Sequence, residues 1–273
     1  MTKHIEVHGD NWGAIFPLSG EEEAENFAKL FKICVEGGKI QEKLISDDKV
    51  LTPLLYPENN SLCGCSLIET KEQNNLIVLF PFMEGLPNKL KIVDNYTWKN
   101  GYEGEITALF EEDREIDFFA PFYYKQLKDF KKDETKEVYI SGLVHQIEKT
   151  NREDIVLTEG NLYDSMLQEF LDKNPNKTKA DFENPVIKVG NMLMHLEHNT
   201  LYGFSTRIVD DVEWIEFCDE KIAKMKIIGY DSFEGNDNLV INLYASKGVL
   251  KDFEPKKGDD ITGYCWLNGY LKY

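Results

Sequence analysis

Apolar and polar residues alternate in short runs along most of this chain, the period of two that marks strands with one buried face. Leu239, Ile241 and Leu243 interleave with Val240, Asn242 and Tyr244. Val138, Ile140 and Gly142 alternate with Tyr139 and Ser141 in a run ending at Ile147. Leu76 to Phe82 is apolar throughout, as in a strand covered on both faces. Glu103 to Phe110 and Glu115 to Phe119 predict two strands joined by the charged turn Glu111-Glu112-Asp113-Arg114. Ile5 and Val7 predict a short first strand before a turn at Gly9-Asp10-Asn11, and Ile261 to Leu271 a last one after Gly258-Asp259-Asp260.

Two stretches carry the helical period instead. The first starts at Ser19 or Gly20, with Glu21, Glu22, Glu23 and Glu25 where negative charge suits the helix dipole. Phe27, Leu30, Phe31 and Cys34 form its apolar face, and Gly37-Gly38 stops it. The second contains Leu162, Met166 and Phe170 and ends near Asp172-Lys173-Asn174-Pro175. Polar residues 174–184 then read as a linker.

The chain also echoes itself. Lys91-Ile92-Val93-Asp94 runs on to Trp98, and Arg207-Ile208-Val209-Asp210 runs on to Trp214. Leu127-Lys128-Asp129-Phe130 returns as Leu250-Lys251-Asp252-Phe253. Tyr139-Ile140-Ser141-Gly142 is matched by Asp260-Ile261-Thr262-Gly263. Three signals in one order predict a unit used twice, with Trp98 and Trp214 as matching core residues. The expected fold is α+β and mostly β. An N-terminal α+β segment (1–88) carries one helix. A first small OB-like β-barrel unit (89–150), a helix and linker (151–185) and a second such unit (186–273) follow. Residues 116–124, Ile-Asp-Phe-Phe-Ala-Pro-Phe-Tyr-Tyr, and 258–271 resemble segments of uncharacterised bacterial proteins with OB-like repeats. The resemblance spans roughly residues 90–273 and implies a fold but no activity.

Composition narrows the function classes. The chain has 273 residues, 49 acids against 31 bases and a net charge of −18. Such a surface repels phosphate backbones and anionic membranes, so nucleic acid and membrane are not the expected partners. The N-terminal ten residues lack the apolar core of a signal peptide, and the longest apolar run, Leu76 to Met83, is too short to span a bilayer. Five cysteines, Cys34, Cys63, Cys65, Cys218 and Cys265, are an odd number without a framework, which fits reduced thiols and a cytoplasmic protein.

Catalytic patterns are missing. There is no Gly-x-Ser-x-Gly elbow, and Gly37-Gly38-Lys39 lacks the rest of a phosphate loop. His195 and His198 would face one metal only on a helix, and the surrounding pattern reads as a strand. His4 and His8 sit beside Gly9, and His145 is alone in a strand. Cys63-Gly64-Cys65 lacks zinc-knuckle spacing and reads as two thiols at a turn. Glu111, Glu112, Asp113, Glu115 and Asp117 read as a charged hairpin tip, and Asp210, Asp211 and Glu213 likewise. No catalytic, cofactor or metal residue is assigned. The remaining candidates are aromatic: Phe118, Phe122, Tyr123 and Tyr124, near Lys125, Lys128, Lys131 and Lys132, form the expected partner surface. The expectation is a non-enzymatic binding module for a protein. The alternatives are an enzyme site assembled from distant residues, and a single-strand binder that stacks bases on aromatics.

Overall fold

A computed structural model describes residues 6, 9–16, 22–45, 49–71, 73–196, 200–233 and 237–272. The Ile5 and Val7 strand and the helix start at Ser19 or Gly20 lie outside them, as do His4, His8 and His198. The fold is α+β and mostly β, with a closed barrel sheet. A short helix, α1 (Gly9–Gly13), replaces the turn expected at Gly9-Asp10-Asn11. On α2 (Glu22–Glu36), Leu30 and Cys34 are buried, whereas Phe27 is exposed, so the apolar face is narrower than the pattern suggested. Gly37-Gly38 follows its last residue, and a Cβ on Gly38 would lie 2.3 Å from the Cys34 carbonyl oxygen, so the close approach there requires glycine.

Five strands follow: β1 (Lys39–Ile40), β2 (Leu44–Ile45), β3 (Val50–Tyr56), β4 (Leu62–Thr70) and β5 (Asn74–Met83). They form an antiparallel sheet in the order β1-β3-β4-β5, with β2 also on β3. Cys63-Gly64-Cys65 lies at the start of β4, directly after the turn at residues 57–61: all three pair with β5, and Gly64 and Cys65 pair with β3 as well.

The next elements are β6 (Leu86–Thr97), β7 (Gly104–Phe110), β8 (Arg114–Phe119), α3 (Tyr123–Gln126) with a 3-10 turn at Leu127–Asp129, and β9 (Thr135–Thr150). Residues 150–190 make a separate small unit of β10 (Ile155–Val156), α4 (Asn161–Lys173) and β11 (Val186–Ile187). In it β10 pairs with β11, and Phe182 packs on Tyr163 and Phe170. The chain then forms β12 (Met192–His195), β13 (Leu201–Arg207), β14 (Glu213–Phe217), β15 (Glu220–Tyr230), β16 (Leu239–Ser246), α5 (Lys247–Leu250) and β17 (Asp260–Leu271).

These strands close two rings. In the first, β6 pairs β7, β7 pairs β8, β8 meets β17, β17 meets β9, and β9 returns to β6. In the second, β13 pairs β17, β17 meets β9, β9 pairs β16, and β16 pairs β15. An Ile208–Ile227 bridge closes it. The β8–β17 and β9–β16 contacts are parallel. β9 and β17 therefore serve both rings, which is why β9 runs to 16 residues and β17 to 12. Each ring borrows a strand from the far side of the 150–190 unit, so neither 89–150 nor 186–273 closes a ring alone. Closure removes the open strand edges that a flat sheet would leave.

The rings share local geometry. The Ile92 N–H donates to the Glu134 carbonyl (2.9 Å), and its own carbonyl accepts from Asp133 N–H (2.8 Å). Ile208 repeats both bonds with Asp259 (3.0 Å) and Gly258 (2.8 Å). Asp133 and Gly258 both have positive φ, 66° and 90°. The Phe130 N–H to Leu127 carbonyl bond recurs from Phe253 to Leu250. The register aligns Ile140 with Cys265, four residues beyond the Ile261 that the sequence echo matches.

One apolar cluster fills the rings, among it Leu90, Ile106, Phe118, Tyr123, Ile140, Met225, Leu243 and Leu267. A second joins the N-terminal sheet to the outside of the rings through Trp12, Leu67, Phe80, Trp98, Phe119, Tyr244 and Trp266. Residues 1–149 and 191–273 consequently form one compact unit. The N-terminal segment is a lid on the rings, built around their outward-facing aromatics. No described helix is long and apolar enough to cross a membrane.

Candidate functional site

The expected aromatic surface is mostly interior. Phe118 and Tyr123 are fully buried, Phe122 is 8% exposed, and Tyr124 is half-buried. Phe118 points into the rings and packs on Phe130, while Phe122 lies beneath the N-terminal sheet against Phe82. Strand alternation turns Phe118 on β8 into the barrel, α3 carries Tyr123 into the same core, and Phe82 of β5 covers Phe122. Phe118, Phe122 and Tyr123 therefore belong to the core and cannot serve as a partner surface.

The two tryptophans differ too. Trp98 is buried, its ring tilted against Phe119 at 5.3 Å, with its indole N–H donating to Glu105. Trp214 is 45% exposed and does not match it as a core residue. The cause is register. Between the Ile92–Ala108 and Asp94–Thr107 pairs, β6 carries one residue more than β7. Between Ile208–Ile227 and Glu213–Lys224, the second hairpin carries two more. One additional residue turns every following side chain to the other face of the strand. Trp214, opposite Ala223, thus occupies the ladder place of Thr97, opposite Gly104.

What surrounds that place differs sharply. In the first ring α3 drops Tyr123 over it. The Tyr123 hydroxyl donates to Asn95 (3.1 Å) and lies 2.5 Å from the Thr97 hydroxyl. A Cβ on Gly104 would come within 2.5 Å of the tyrosine ring, so only glycine leaves room. In the second ring the helix in the same position, α5, is capped by Ser246, whose hydroxyl accepts from Val249 N–H. Ser246, the counterpart of Tyr123, is a small buried residue whose hydroxyl donates to the Ala14 carbonyl at 2.8 Å. Trp214 stands instead between two adjoining clefts of about 440 and 600 Å³. Asp211, Val212 and the 254–257 loop line the first; Ile215, Glu216, Lys221, Lys247 and Glu254 line the second.

The charges here are balanced and unused. Among the described residues, Lys221, Lys247 and Lys256 make no ion pair, and neither do Asp211, Glu216 and Glu254; Lys257 pairs with Asp210 at 3.7 Å. Elsewhere most lysines near the ladders are paired, for example Lys224 with Glu84 and Glu213. A ring of both signs around a half-exposed indole suits a polar-rimmed contact with an aromatic centre.

A second cluster sits on the first ring. His195, on β12, lies 3.5 Å from Asp117 on β8, and the Asp117 N–H donates to the Tyr202 hydroxyl. Burial pushes the Asp117 carboxyl above its ordinary range, while the Thr107 hydroxyl that donates to it at 2.5 Å acts the other way. Asp117 is therefore a half-buried polar anchor of β8 and not part of an exposed hairpin tip. His145 stacks on Tyr264 and bonds to Asn11, tying α1 to β9. Burial likewise raises the Cys34 and Cys63 thiols to about 12, which suppresses thiolate chemistry.

Trp214, Lys221, Lys247 and Glu254 were not singled out as a site from the sequence. The signal that would find them is the extra residue between Ile208 and Trp214, and it becomes readable only once the ladder partners are known. Comparison with protein-family models, with curated proteins and with solved structures finds no match.

Proposed function

We propose that this chain is a cytoplasmic, non-enzymatic binding protein made of two OB-like units of one repeated design. Its recognition site is the Trp214 end of the second unit, and its partner is a protein. The ring order supports the OB-like reading: first, second, third, fifth and fourth strand, back to the first, with a short helix between the third and fourth. The backbone bonds repeated around Ile92 and Ile208 support a common design. Five free thiols fit a reducing compartment.

One observation carries the functional reading. The place that Tyr123 seals in the first ring is left in the second to a tryptophan 45% exposed, within a rim of unpaired charges of both signs. Tryptophan is the residue most often found at the energetic centre of protein interfaces. The test is affinity capture from the native cell with the full chain and with Trp214→Ala. A partner retained by the first and lost by the second supports the reading; identical captures from both would sink it.

A single strand of nucleic acid is the second reading, because an exposed indole beside Lys221, Lys247 and Lys256 resembles a stacking platform. The three carboxylates of the same rim oppose a polyanion. That reading requires quenching of Trp214 fluorescence by oligonucleotides, with affinity falling steeply as salt rises.

A further inference from the structure

Resting on the reading of the Trp214 end as a protein-binding surface, we propose that the protein it binds is a second copy of this chain. The chain is then a twofold dimer joined through Trp214. Shape is the first argument. Trp214, 45% exposed, lines both clefts, as Glu254 does, so the indole has a groove on either side of it. A ridge beside a groove is complementary to itself about a twofold axis, each indole entering the other copy's groove. Charge is the second. Two chains of net charge −18 repel over most of their surfaces. This patch departs from that average: three lysines without an ion pair, Lys221, Lys247 and Lys256, line the clefts together with three such carboxylates, Asp211, Glu216 and Glu254, while Lys257 beside them is paired with Asp210. A neutral patch of both signs lets each lysine of one copy meet a carboxylate of the other. Lys247 and Glu254, which line the same groove, make one such reciprocal pair across the axis.

Sedimentation equilibrium of the full chain over a wide concentration range tests this. The expected result is a reversible species of twice the 31.6 kDa chain mass. Trp214→Ala should weaken it about 30-fold or more, as loss of an interface centre does. Lys247→Glu and Glu254→Lys should each weaken self-association, and mixing the two variants should restore a dimer. Circular dichroism shows whether each variant is folded, and the exposure of all three side chains makes folding the expected outcome. A wild-type chain that stays monomeric throughout overturns the dimer, as does a dimer that Trp214→Ala leaves unchanged. Neither result touches the capture experiment, which can still return a foreign protein. A mixture that remains monomeric overturns the Lys247–Glu254 contact.

Discussion

The two rings share connectivity and local backbone bonds, yet their ends are finished in opposite ways. The end beside α3 is filled: Tyr123 is fully buried, held by Asn95 and Thr97, over a glycine that makes room for it. The end beside α5 has alanine at the glycine position, tryptophan at the threonine position and no tyrosine. The N-terminal sheet repeats the contrast, covering Trp98 on the first ring and leaving Trp214 exposed on the second. On the proposed reading, the place sealed by Tyr123 in the first ring and bordered by exposed Trp214 in the second is where recognition has room to act. The contrast predicts that equivalent positions carry stability in the first ring and binding in the second.

The largest effect should come from Tyr123→Ala. It removes a buried ring and two hydrogen bonds at the sealed end, and should cost about 3–5 kcal/mol by urea unfolding. A cost below about 1 kcal/mol would mean that the seal is not structural. Next is Asn268, fully buried with neither side-chain atom hydrogen-bonded. The parallel contacts place Asn268 beside Phe119 and Leu143 beside Tyr244, so Leu143 is its counterpart in the other ring. Asn268→Leu should raise stability by about 1–3 kcal/mol, since an unsatisfied buried amide costs that much. A fall in the unfolding midpoint would show that the amide has a use the packing does not reveal. Gly104→Ala, which installs the residue found at the open end, should cost about 1–3 kcal/mol by crowding Tyr123. If the crowding argument holds, that cost shrinks in the Tyr123→Ala background to the part set by the Tyr96 carbonyl, 2.6 Å from the added Cβ.

Much of this fold can be read along the chain, because alternation survives whatever a strand packs against. The β7–β8 hairpin, α4, β16 and β17 fall close to where the period of two or the helical period puts them. The echo around Ile92 and Ile208 marks positions with the same backbone bonds. Exposure is another matter. Phe118, Phe122 and Tyr123 are aromatic whether they fill a ring or face a partner, and only the closure of β8 against β17 and the cover of β5 decide between the two. Trp98 and Trp214 stand equally far from their isoleucines, yet face opposite ways because of one extra residue in a ladder. Sharing of β9 and β17 is likewise invisible, since nothing local says that a long strand has two sets of neighbours.

Asp117 sharpens the comparison through pH. The ladders place it where the second ring has Asn242, a neutral amide that donates to the Glu84 carbonyl. Burial raises the Asp117 carboxyl above its ordinary value. A raised acid contributes stability that is complete below the unfolded value, about 3.9, and is lost as pH climbs through the folded one. Asp117→Asn should therefore stabilise the chain at neutral pH, and its advantage should shrink as the pH falls toward about 3. Other carboxylates titrate in both proteins and cancel in the difference. An advantage that grows in acid would mean that the ion pair with His195 outweighs burial.

The smallest effect on stability belongs to the residue on which the functional reading depends. Trp214 is nearly half exposed and no described group hydrogen-bonds to its ring, so Trp214→Ala should shift the unfolding free energy by about 0.5 kcal/mol or less. Set beside Tyr123→Ala, that small number separates the two ends. A half-exposed indole that is cheap to remove from the isolated fold is what the proposed binding surface requires. If Trp214→Ala instead costs as much as Tyr123→Ala, the indole is a second seal, and the open end of the second ring is closed after all.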